Sequence, residues 1–155
     1  MSNDVNTQAP NPIQMAEQIT DTLWHLTQDW NDFAKSTVAH PWLQAMDSAA
    51  LQLAFTLGRT TVKQHMQHLS NARKGLVPVD YYLQRALKCG LIEQPQADEL
   101  HAQLTALAQR LDQHAQTVVQ SANQKVAEQE TKAEENRKEE TISEGSSDAA
   151  TAAAH

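Results

Sequence analysis

Apolar residues along the chain recur mostly at intervals of three and four, the spacing of one helical face, and seldom alternate as a strand would. Ile19, Leu23, Leu26, Trp30 and Phe33 fall 4, 3, 4 and 3 apart, which predicts a first helix starting near Pro12, with Trp24 widening its apolar face. Ser36, Thr37 and His40-Pro41 punctuate that pattern. Pro41 suits the first turn of a second helix, where its missing N–H costs nothing. That helix shows two apolar rows, Leu43, Met46, Ala50, Leu53, Leu57 and Leu51, Phe55, Gly58, Val62, Met66, Leu69, as expected of one flanked by two others. Gly58 falls in mid-helix on this reading, where close approach of a neighbour is the usual compensation.

Gly75 then reads as a C-terminal stop and Leu76 to Val79 as an extended connector. Asp80 reads as the cap of a short helix from Tyr81 to Lys88, which Gly90 ends. Leu91 and Ile92 should tuck into the core, and Pro95 opens the last helix. Ala97, Leu100, Leu104, Leu107, Leu111, His114 and Val118 carry its seam for about six turns. Beyond Ala122 the seam fails, and charge pairs such as Glu134 with Lys138 are all that could keep EQETKAEENRKEE helical. The fold class expected is all-α. An antiparallel bundle of three to four helices occupies residues 12–127, with a disordered lead over 1–11 and an acidic tail, partly helical to disordered, over 128–155.

Composition agrees with helices and narrows the class. Gly 4, Pro 5 and 5% aromatics leave few of the turn formers that an all-β fold needs. The single Cys89 cannot close an internal disulfide, which fits a reducing compartment. The N-terminus MSNDVNTQAP has no apolar signal region, and no stretch approaches the roughly 18 apolar residues of a membrane span, so a cytoplasmic location is expected.

Charge is placed unevenly. Of the net −7, residues 128–155 hold −5, with eight acidic residues against three basic. Between Arg59 and Lys88 the balance reverses: Arg59, Lys63, Arg73, Lys74, Arg85 and Lys88 face the single acidic Asp80. These six are the candidate anion-binding residues; the bland reading is a solvated face.

Little else points to chemistry. His65 and His68 share a helical face at a spacing that can hold a metal, but no further histidine pair or cysteine pair accompanies them, so solvated histidines are expected. His114 lies on the last seam as a structural histidine or a pH-sensitive one, and Asp21 with His25 reads as a surface pair. The four glycines are scattered, so no phosphate-cradling loop exists. Cys89 near a helix C-terminus reads as a core or boundary residue. Trp24, Trp30 and Trp42 are candidates for a hydrophobic surface, against the plainer reading that they are core. No catalytic residue, metal ligand set or cofactor is assigned.

The plan of Ala-, Gln- and Leu-rich amphipathic helices with a polar tail resembles phasins, the coat proteins of polyhydroxyalkanoate granules. The stretch RALKCGLIEQPQADEL over residues 85–100 is similar to a helical hairpin near the C-terminus of long bacterial acyl-CoA dehydrogenases. The leading expectation is therefore a non-enzymatic interaction protein, a homo-oligomer that binds a hydrophobic granule or lipid surface, another protein or an anionic ligand. Its most concrete form is a phasin-like granule coat. The alternatives are a nucleic-acid-associated protein using residues 59–88 and a helical accessory of fatty acyl metabolism. A histidine-dependent hydrolase or metal enzyme comes last.

Overall fold

A computed structural model describes residues 10–152 of the chain. Most of the expected N-terminal lead, and residues 153–155 of the tail, lie outside that range. The described residues are helical, without a strand. The elements are α1 (Pro12–Thr27), a short α2 (Asp32–Ala34), a π-helical turn (Lys35–Ala39), α3 (His40–Phe55), α4 (Val62–Lys88) and α5 (Gln94–Ala152). The chain divides into two units, Met1–Gln116 and Thr117–His155.

Within the first unit, neighbouring helices run antiparallel. Side-chain pairs across α3 and α4 (Gln52 with His68, Ala49 with Gly75) and across α4 and α5 (His65 with His114, Arg73 with Asp112, Asp80 with His101) advance on one helix as they recede on the other. One core is shared by Ile19 and Leu23 of α1, Trp42, Met46 and Leu53 of α3, Leu76, Val79 and Leu83 of α4, and Leu100, Leu104, Leu107 and Leu111 of α5. This is the expected bundle with a long C-terminal helix, and the last seam is buried at Ala97, Leu100, Leu104, Leu107 and Leu111.

The boundaries of the early helices differ from the sequence expectation. The first seam is buried through Leu23 but does not reach Phe33, which is 78% exposed. The chain breaks at Gln28–Asn31 instead, where the Asn31 side chain accepts from the Ala34 N–H at 2.9 Å and starts a new helix. Ser36 and Thr37 do not interrupt that helix, because their hydroxyls fold back onto the Phe33 carbonyl at 3.0 and 2.7 Å. Pro41 lies in the first turn of α3, as expected, although the chain enters that turn already helical at Ala39. Lacking an N–H and crowding the carbonyl four residues before it, Pro41 follows a widened turn in which the His40 N–H donates to the Lys35 carbonyl.

Gly58 and Gly75 exchange roles. Gly58 lies in the loop after α3, while α4 begins at Thr61, whose side chain and backbone bond reciprocally with Gln64 at 3.2 and 3.0 Å. Helix α4 then runs through Gly75, Pro78 and Asp80, so the expected stop, connector and cap are all interior positions of one helix. Gly75 is where α4 meets α3 closely: a Cβ there would come within 3.1 Å of the Ala49 Cβ. Pro78, which has no N–H to donate to the Lys74 carbonyl, is exposed and lies away from the core. The true stop is Gly90, at φ +69°, with the Leu91 N–H on the Ala86 carbonyl (2.9 Å) and the Gly90 N–H on the Leu87 carbonyl (3.1 Å). Ile92 then enters the core as expected, whereas Cys89, at the last position before that turn, is exposed rather than core.

In the second unit, α5 continues to Ala152 and no residue from 123 to 146 is buried. No helix of the described residues is long and apolar enough to cross a membrane.

Candidate nucleic-acid interface

Because α4 is unbroken from Val62 to Lys88, its basic residues keep a fixed angular relation. Lys63, Lys74 and Arg85 are eleven residues apart, a spacing of three helical turns with only about 20° of drift. Lys88 falls beside them, so the four occupy an arc of about 60° along about 38 Å of helix. All four are exposed. None makes an ion pair or side-chain hydrogen bond with another described residue, which leaves each ammonium or guanidinium directed to solvent.

The other two candidates are placed differently. Arg59 is exposed in the loop just before α4. Arg73 turns toward α5, where its Nε lies 3.3 Å from the Asp112 carboxylate. Asp80, the one acid in the island, also faces α5 and accepts from His101 Nδ1 at 3.1 Å. The acid is thus drawn off the free face, and the stripe Lys63, Lys74, Arg85, Lys88 is purely cationic.

The histidines are used between helices. His65 and His114 share a hydrogen bond, with Nε2 atoms 3.3 Å apart, at the edge of a small cavity of about 200 Å³ lined also by Leu53, Leu57 and Leu69. Burial holds the His114 pKa below its ordinary value, reinforced by the nearby charges of His65 and Arg110. His68 does not join His65. It donates from Nδ1 to Gln52 at 3.0 Å and packs against Phe55. No group of three or more His, Cys, Asp or Glu gathers among the described residues. Asp21 and His25 are exposed on α1.

The three tryptophans do not form one surface. Trp42 is fully buried and its ring stacks on half-buried Trp30 at 6.3 Å, so these two serve the core and its edge. Only Trp24, 60% exposed, lies open, over a crevice of about 280 Å³ beside Lys35, His40 and Leu43. The expectation of a hydrophobic surface on Trp24, Trp30 and Trp42 is corrected accordingly.

Fold and site together define an all-α bundle with a continuous basic face along α4. The model of one family, the 23S rRNA-intervening sequence protein, matches residues 11–113, about two thirds of the chain, and the chain belongs to that family. No curated protein sequence matches it. The match spans the bundle and not the exposed length of α5. It overturns the phasin-like granule-coat expectation, which rested on amphipathic helices and a polar tail, features that any small bundle with an extended helix shares. Of the readings open at the sequence level, the nucleic-acid alternative is the one that the family favours.

Proposed function

We propose that the protein is a non-enzymatic RNA-associated bundle that holds the phosphate backbone of RNA, in the first place ribosomal RNA, on the exposed face of α4. The observation that carries this reading is the unpaired stripe Lys63, Lys74, Arg85 and Lys88 on one face of an unbroken helix. Cations in a row on a rigid rod gain affinity for a polyanion by releasing its condensed counterions, and they lose it as salt rises. The family's name, which speaks of 23S rRNA, supports RNA as the polyanion. Such a role goes with a cytoplasmic location.

Fluorescence anisotropy with labelled RNA at several salt concentrations tests the proposal. Lys74→Gln with Arg85→Gln should weaken binding and lower the log–log salt slope by about one to two units, as expected for two lost phosphate contacts. The melting temperature should hardly move, since both side chains are exposed and unpaired. RNA affinity and salt slope unchanged by the double substitution would defeat the proposal.

A further inference from the structure

One aromatic ring interrupts the basic stripe. Tyr81 lies on the same helical line as Lys63, seven residues after Lys74 and four before Arg85, and it is 58% exposed. Val77, one turn earlier, is 67% exposed, so the ring has an open apolar neighbour on its N-terminal side. The neighbouring Tyr82 meets Tyr81 edge to face, with centroids 5.2 Å apart and planes at 78°. That contact limits the Tyr81 ring to few orientations and lowers the entropy lost when a flat group settles on it. Tyr82 in turn lines a shallow groove of about 620 Å³ between α3 and α4, together with Pro41, Gln44, Ser48, Leu51 and Pro78.

A solvated cationic face has no use for an open, buttressed ring among its lysines. A surface for single-stranded nucleic acid does, since it pairs cations for the phosphates with aromatic faces on which bases stack. In an A-form duplex the base faces are covered by their neighbours, so Tyr81 could meet only sugar and phosphate. We propose that Tyr81 is a base-stacking platform and that the α4 face therefore takes single-stranded RNA in preference to duplex. Lys74 and Arg85 would hold phosphates on either side of the stacked base, and the Gln44 side chain in the adjoining groove offers hydrogen bonds to its edge. This rests on the RNA reading given above, and goes beyond it in naming the form of RNA.

The test compares three probes on the full chain: a short oligoadenylate, an abasic oligomer of the same length and a duplex of the same length. Stacking predicts tightest binding to the oligoadenylate, with the abasic oligomer and the duplex weaker. Tyr81→Ala should lose roughly five- to a hundredfold for the oligoadenylate, the range found for single stacked bases, and little for the other two probes. Tyr81→Phe should keep the preference, and unchanged melting temperatures would show that the fold is untouched. Equal binding of all three probes, or a preference for duplex, would overturn the inference. If Lys74→Gln with Arg85→Gln still weakened binding in that case, the phosphate reading would stand without it. Binding of none of the probes would overturn both.

Discussion

Helix α4 and the later part of α5 are both long, charged and opposite in sign, yet they are stabilised in different ways. Helix α4 is basic on one face and buried on the other, where Leu69, Ala72, Leu76, Val79, Leu83 and Ala86 form a continuous seam. Residues 123–146 of α5 are acidic and exposed all round. A charged face on an anchored helix has fixed positions and can present charges in register. A charged helix without a seam depends on side-chain pairs worth a few tenths of a kcal/mol each. The difference teaches that position, and not the amount of charge, separates an interface candidate from a solubilising extension.

The largest losses are expected in the seam. Leu83→Ala and Leu107→Ala each remove a side chain that is at most 1% exposed, and each should destabilise the bundle by about 2–5 kcal/mol in urea titrations. Ile142→Ala, at a residue 73% exposed, should stay within about 0.5 kcal/mol. Equal losses at the two kinds of site would erase the distinction between anchored and unanchored helix.

A smaller effect is expected where α4 meets α3. Gly75→Leu places side-chain atoms where even a Cβ comes within 3.1 Å of Ala49, and overpacking of this kind costs about 1–3 kcal/mol. Thermal unfolding would show it as a lowered melting temperature. If Gly75→Leu melts no lower, α3 and α4 can part without loss.

Next comes pH. His114 is harder to protonate in the folded bundle than in the unfolded chain, because burial, His65 and Arg110 all disfavour its charge. The unfolded state therefore binds the extra proton first. Stability should fall as pH drops below about 6.5, and level off once the folded histidine is protonated too. His114→Asn should flatten that part of a stability–pH curve; a curve unchanged by the substitution would show that His114 is as easily protonated in the bundle as in the unfolded chain.

The smallest effect on stability should come from truncation after Ala127: residues 128–146 are all exposed, and the unfolding free energy should change by under about 0.5 kcal/mol. RNA affinity should rise at the same time, since the removed segment carries a net −5 on the same chain as the basic stripe. A loss of several degrees in melting temperature would mean that the acidic segment is anchored after all.

The sequence made the helical class legible because the 3-4 spacing of apolar residues survives in the buried seams, most clearly from Ala97 to Leu111. It misplaced the breaks because the same residue types serve opposite ends. A glycine such as Gly75 can stop a helix or admit a neighbour, and only the presence of Ala49 across the gap decides which. Ser36 and Thr37 can break a helix or bond back into it, and their hydroxyls do the latter. The basic island was legible as charge but not as a stripe. A break at Gly75–Val79 would have turned Arg85 and Lys88 away from Lys63, and only the unbroken helix aligns them. Tyr81 is not legible as part of the stripe for the same reason, since at the start of a short separate helix it has no relation to Lys74. The pairing of His65 with His114 joins residues 49 positions apart, which no local pattern encodes.

The π-helical turn at Lys35–Ala39 bears on how the chain can change in length. A widened turn holds about one residue more than a regular helix would need over the same rise. Deleting one exposed residue there, such as Ser36, would remove that surplus and let the turn close as regular α-helix, so the stretches on either side keep their faces. Ala34, now 5% exposed, would stay against the core, and the Asn31 cap would still start the helix. A second deletion would find no surplus and would rotate everything before it by about 100° relative to α3, whereas exposed residues 123–146 of α5 can gain or lose residues with little consequence for the core.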